Sequence, residues 1–104
     1  MTDLQLDRIA SSYTSATVKV TGDVDMASAP RLRSTLDELV DSGLSRIVLD
    51  CRELSFLDSS GIGVLVAART RMGDDGELVL DSPPSHVRKV LDITGMGSHL
   101  SVVP

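Results

Sequence analysis

The residues best placed to do chemistry stand together in Phe56-Leu57-Asp58-Ser59-Ser60-Gly61-Ile62-Gly63. An apolar stretch runs into this segment and a helical pattern follows it, so Ser59 or Ser60 is expected at the N-cap of a helix. Two readings fit that position. In the first, a serine oxygen accepts an orphan backbone N–H and contributes about 1 kcal/mol as a cap. In the second, one serine accepts a phosphate. Two hydroxyls stand side by side where one cap would suffice, and Gly61 and Gly63 have no Cβ and leave the backbone open to approach. A helix N-terminus offers free N–H groups and a dipole that favour an anion. A phosphoserine there adds roughly −1.5 to −2 of charge and alters a surface without rebuilding a core.

Nucleophilic catalysis is the competing chemistry, since a catalytic serine also sits on a strand-to-helix elbow. Leu57-Asp58 precedes Ser59, so the elbow glycine is missing. A triad also needs a histidine, and His86 and His99 both read as surface residues. Two scattered histidines and one cysteine have no metal-ligand spacing, and Gly61, Gly63 and Gly73 form neither a phosphate loop nor a dinucleotide fingerprint. No cofactor is expected. Asp23 and Asp25 form a second polar cluster, in a segment read as a loop. Turn chemistry and a charge near the start of a helix account for them; alternatively, one lies beside Asp58 and Ser59 and sets the acidity around a phosphate acceptor. Cys51, the only cysteine, sits in an apolar strand and is expected to be a small buried core residue.

The elements that must position these residues follow from hydrophobic periodicity. Residues 4–9 and 16–20 alternate apolar and polar and predict two strands, with a polar turn at 11–15 between them. Residues 22–28 predict a loop. Pro30 suits the first turn of a helix, and Leu32, Leu36, Leu39 and Val40 give that helix one apolar face over 29–42, with Gly43 as its stop. Residues 46–51 predict a buried strand. Residues 54–63 predict a strand end and a tight turn, and a second helix follows over about 60–72. Ile62, Leu65, Val66, Arg69 and Met72 are expected to share one stripe, with Arg69 the exception. Residues 77–80 predict a strand. Ser82-Pro83-Pro84 is expected to cap a third helix, which carries Val87, Val90 and Leu91 inward and stops at Gly95; 100–103 predict a last strand. The order β-β-α-β-α-β-α-β implies an α/β fold, a mostly parallel or mixed sheet of four to five strands with helices packed on it. Sites in such folds sit at the carboxyl ends of strands, where Asp58–Gly61 falls.

Length and charge narrow the function. The chain has 104 residues, one domain's worth, with 41% hydrophobic, 24% charged and 2% aromatic residues, so its core is aliphatic. A net charge of −5 repels phosphate backbones and anionic lipid surfaces. There is no basic stripe, and no set of aromatics on which bases could stack, so no nucleic-acid partner is expected. The pairs Arg31/Arg33 and Arg69/Arg71 read as solvated helix faces. Residues 1–8, with Asp3, Asp7 and Arg8, do not read as a signal peptide. No apolar run reaches the roughly 20 residues of a membrane helix, and a cytoplasmic location without membrane insertion is the expectation.

Several blocks carry a resemblance. They are Thr21-Gly22-Asp23-Val24-Asp25, Ala29-Pro30-x-Leu32, Ile47-Val48-Leu49-Asp50, Leu54-Ser55-Phe56-Leu57-Asp58-Ser59-Ser60-Gly61-Ile62-Gly63-Val64-Leu65 and Val90-Leu91-Asp92-Ile93-Thr94-Gly95-Met96. In this order they resemble the STAS-domain anti-sigma factor antagonists of bacteria, over nearly the whole chain. The resemblance implies the STAS fold and a partner-switching regulator, not an enzyme. It implies that the unphosphorylated chain binds an anti-sigma factor with serine kinase activity and so frees a sigma factor. The kinase phosphorylates the serine after the motif's aspartate, here Ser59, which dissolves the complex, and a serine phosphatase resets it. ATP belongs to the partner. Asp23 matches an acidic position near that serine. The expected partner-binding residues are Asp23, Asp25, Asp58, Ser59, Ser60, Gly61, Ile62 and Gly63. Members often continue into a further helix, whereas this chain stops at Pro104. STAS domains also serve as subunits of lipid-trafficking or transporter-associated complexes, the alternative the resemblance carries.

Overall fold

A computed structural model describes residues 3–95 and 100–104. The elements are β1 (Gln5–Ser11), β2 (Ser15–Val24), α1 (Ala29–Asp41), β3 (Arg46–Asp50), β4 (Leu54–Leu57), α2 (Ser59–Met72), β5 (Glu77–Asp81), α3 (Ser85–Thr94) and β6 (Ser101–Val103). The sheet runs β1-β2-β3-β5-β6, with β4 off this path and paired to β2. β1 is antiparallel to β2 and the other pairs are parallel. The fold is therefore mixed α/β as expected, with six strands rather than four or five.

The sixth strand is β4, and its four residues LSFL hide it. Gly22 pairs with Leu54, but the register then shifts, so that Asp23 pairs with Phe56 and Val24 with Leu57. The shift breaks the period of two: Leu54 and Leu57 are buried while Ser55 and Phe56 are both exposed. The same pairing corrects the loop expected at 22–28. Gly22, Asp23 and Val24 continue β2, which alternates buried and half-buried residues along its whole length. The turn proper begins at Asp25.

β2 turns Ala16, Val18, Val20 and Val24 inward, β3 turns Ile47 and Leu49, and β5 turns Leu78 and Leu80. Leu32 of α1, Leu65 of α2 and Val87 of α3 close on the same strand residues, so all three helices cover one face of the sheet. In α1 the buried residues are Ala29, Leu32, Leu36 and Leu39, at helical spacing. In α2 they are Gly61, Ile62, Leu65 and Ala68. Ala68 thus takes the inner place expected of Val66, and Val66, Arg69 and Met72 lie half-buried at the flank. Arg69 donates to the Gly73 carbonyl at 2.7 Å, and Arg71 reaches across to Asp37 and Asp41 of α1. Beyond solvating a face, Arg69 thus closes the end of its own helix and Arg71 ties α2 to α1. Gly95 ends α3 at φ 72°. Ser82 does not cap α3: its hydroxyl bonds Asp81 at 2.9 Å, and the Pro84 carbonyl accepts from Val87 and Arg88 instead.

The opposite face of the sheet carries a row of charged residues beside Val48 and Val79. Asp7, Lys19, Asp50 and Asp81 are successive register partners across β1, β2, β3 and β5. Asp50 is only 3% exposed. Arg52 bonds both of its carboxylate oxygens, at 3.0 and 2.7 Å, and this pairing first, ahead of opposing desolvation, holds the carboxyl below its ordinary range. Cys51 is buried, as expected, and burial followed by the charges of Asp50 and Asp81 pushes its thiol up to about 12.

Candidate functional site

The parallel pairing of β2 and β4 builds the site, because both strands end on the same side. The Asp58 amide donates to the Val24 carbonyl at 3.2 Å. That bond fastens the start of α2 to the end of β2 and sets Asp23–Asp25 beside Asp58–Ser60. The N-cap of α2 is Asp58, not a serine. Its backbone is extended, and its Oδ1 accepts from the amides of Ser60 at 2.8 Å and Gly61 at 3.3 Å. A carboxylate serves here as well as a hydroxyl, and its negative charge also suits the helix dipole. The helix therefore begins one residue earlier than expected, at Ser59. Ser59 is exposed and Ser60 half-buried on the first turn, and among the described residues neither hydroxyl is needed for capping.

The two glycines of that turn differ. A Cβ on Gly61 would stand 2.2 Å from Leu57 Cδ1 and 2.8 Å from Val24 Cγ1, so Gly61 lets α2 approach the two strand ends. A Cβ on Gly63 would meet nothing within 4 Å, so Gly63 leaves the outer surface of the turn open. Ile62 is buried at 4% exposure. Gly61 and Ile62, expected among the partner-binding residues, thus underpin the site from the core side.

Asp25 is taken up by its own turn. Its Oδ1 accepts from the amides of Ala27 at 3.0 Å and Ser28 at 2.9 Å, and the Ser28 hydroxyl lies 3.0 Å away. These bonds, the Ser28 amide foremost, hold the Asp25 carboxyl below its ordinary value. They launch α1 in place of a Ser28 side-chain cap. Asp23 is half-buried at the register position beside Phe56. The structure brings Asp23, Asp25, Asp58, Ser59, Ser60 and Gly63 to one end of the sheet. His86, on α3, is exposed, and its Nε2 donates to the Ser55 carbonyl at 2.8 Å. His99 lies outside the described residues. Among the described residues no three His, Cys, Asp or Glu side chains gather as a metal site, and no helix is long and apolar enough to cross a membrane.

Residues 8–104 match the family described as "Mlab, STAS domain". Over 81 residues, 76% of this chain and 72% of its relative, the sequence is 35% identical to the anti-sigma-B factor antagonist of Bacillus subtilis. The chain belongs to the STAS family of anti-sigma factor antagonists. It is a regulatory binding protein rather than an enzyme. It is also 39% identical to BtrV of Bordetella bronchiseptica over 84 residues, 80% of this chain and 70% of that one. The fold matches the anti-sigma factor antagonist SpoIIAA in its unphosphorylated form, with a TM-score of 0.78 at 22% identity, covering 98% of this chain and 89% of that one. It matches SpoIIAA of Bacillus in its phosphorylated form with a TM-score of 0.72, at 22% identity over 98% and 92%.

Two features of this antagonist's site escape a reading of the residues alone. One is the capping role of Asp58, for which the signal was present: aspartate is as good an N-cap as serine. The other is the outward pose of Phe56, which depends on a register shift that no local pattern encodes.

Proposed function

We propose that this antagonist is a phosphorylation switch whose acceptor is Ser59. Unphosphorylated, it binds an anti-sigma factor that is itself an ATP-dependent serine kinase, and so releases a sigma factor. Phosphorylated, it lets go, and a serine phosphatase restores it. The observation that carries this reading is the division of labour at the start of α2. Asp58 caps the helix, so the exposed Ser59 hydroxyl has no structural task and can take a phosphate without unravelling the turn. The open side of Gly63 leaves room for it, and the helix N-terminus favours an anion by roughly 0.3–1 kcal/mol at an exposed site. SpoIIAA, whose fold this chain shares, exists in unphosphorylated and phosphorylated forms. The contact face comprises Asp23, Asp58, Ser59, Ser60 and Gly63, with Asp25 shaping the adjoining turn. The switch works in the cytoplasm, and the nucleotide is the partner's.

Binding falls because the new charge must be desolvated against an interface built without it, which costs several kcal/mol when no cation matches it. Each 1.4 kcal/mol is ten-fold in affinity. Phosphosite mapping after incubation with the host's purified anti-sigma factor kinases and ATP, beside calorimetric binding of variants, tests this. Ser59→Ala should bind and stay unphosphorylated. Ser60→Ala should still accept phosphate. Ser59→Asp should bind about ten-fold or more weakly. Phosphate mapped to Ser60 or elsewhere, or Ser59→Asp binding as tightly as the parent, overturns the assignment.

A further inference from the structure

The chain's only phenylalanine is not in its core. One Phe, one Tyr and no Trp occur in 104 residues, and the interior is closed by aliphatic side chains. Phe56 is instead 45% exposed. The cause lies in β4: regular alternation from Leu54 would turn Phe56 inward and Leu57 outward, and the register shift reverses them. Such irregularities re-aim side chains beside functional sites. This one is held from outside the sheet, because His86 of α3 donates to the carbonyl of Ser55, the residue the shift leaves without a register partner.

Met26 is the second exposed apolar side chain at this end, 78% accessible. The register sets it at the same end of the sheet as Ser59. Val24 and Leu57 are partners on parallel strands, Met26 stands two residues beyond the first and Ser59 two residues beyond the second. Phe56 is three residues before Ser59, so its Cα lies within about 11 Å of the serine's. Apolar side chains with a polar rim are the usual anatomy of a protein-binding face. The rim here is acidic, made of Asp23, Asp25 and Asp58.

We propose that Met26 and Phe56 are the apolar anchors by which the serine-kinase anti-sigma factor holds this face. Its matching surface is an apolar socket whose cationic edge faces Asp23 and Asp25 and offers no cation at Ser59. The inference rests on the phosphorylation-switch reading above and adds that affinity and phosphate transfer reside in different residues of one face. Anchors near the centre of an interface dominate its energy, whereas the acceptor hydroxyl alone takes part in the transfer.

The experiment is calorimetric titration of the host's purified anti-sigma factor kinases with the full chain and its variants, together with steady-state phosphorylation of Ser59. Met26→Ser and Phe56→Ser should each lower affinity about ten-fold or more. Each should raise KM for phosphorylation by a similar factor and leave kcat unchanged. Phe56→Leu, which keeps the apolar contact, should retain most of the affinity. Tyr13→Ser, at a fully exposed aromatic on the β1–β2 hairpin, should change nothing, and melting curves should show every variant folded. If the Met26 and Phe56 variants bind like the parent while Ser59→Asp binds weakly, the anchors are wrong and the switch stands. A fall in kcat rather than a rise in KM also overturns the anchor role. If no kinase binds the parent, the switch reading fails and this inference with it.

Discussion

Asp58→Ala removes the cap of α2 and is expected to cost about 1 kcal/mol, whereas Ser59→Ala should leave the melting temperature nearly unchanged. Thermal unfolding of the two variants side by side measures the difference, and equal losses would return the capping role to the serine. The neighbouring glycines should part in the same assay. Gly61→Ala drives a methyl into Leu57 and Val24 and should cost roughly 1–3 kcal/mol. Gly63→Ala meets open space and should gain about 0.5–1 kcal/mol through helix propensity, while narrowing the room beside a phosphate. Cys51, its thiol pushed up to about 12 chiefly by burial, should resist alkylation at pH 8 in the folded protein and react once the chain is denatured. The composition of this site was legible in the sequence, since Asp58, two serines and two glycines at a strand-to-helix junction already limit the chemistry to an anion or a cap. Which residue does which task was not legible. Asp58, Ser59 and Ser60 are all competent caps, and only the geometry of the first turn chooses among them.

At the scale of elements, three helices and five of the six strands could be read from periodicity and stop signals, because each buries one face against the same aliphatic layer. The far end of β2 and the extent and pairing of β4 could not. Gly22 and Asp23 are poor strand formers, and they join β2 only because β4 pairs with them from elsewhere in the chain. Leu54-Ser55-Phe56-Leu57 lacks alternation for the same non-local reason. The Arg71 bridge to Asp37 and Asp41 joins α1 to α2 across the surface. All three side chains are solvent-accessible, so Arg71→Ala should lower stability by less than about 1 kcal/mol. The deficit should vanish at high salt, because exposed charges are screened. Denaturant titrations at low and high ionic strength measure both.

For the whole molecule, the proposed phosphorylation of Ser59 would take the net charge from −5 to about −7 while the melting temperature should move by only a few degrees. Binding and folding then respond to different parts of the chain. Acid acts on folding. The Asp50 carboxyl, held low mainly by Arg52, has a folded value below its ordinary value of 3.8. Its contribution is therefore fully present above that value and is lost as pH falls through the folded value. Asp50→Asn should flatten the stability profile below about pH 4, and denaturation curves across that range would reveal an unchanged slope if the pairing were unimportant. The long strand β2 has a further consequence, one of cooperativity. Its first half, Ser15–Lys19, is clasped between β1 and β3, whereas Gly22–Val24 is paired only by β4, and β4 pairs with nothing else. The end that carries Ser59 is thus a short ribbon whose opening breaks none of the β2–β3 or β3–β5 ladder. Amide hydrogen exchange should find 54–57 opening at lower free energy than 47–49 and 78–80. Under the proposed switch, Ser59 would reach into the kinase's active site by a local, sub-global excursion, with the rest of the domain still folded behind it.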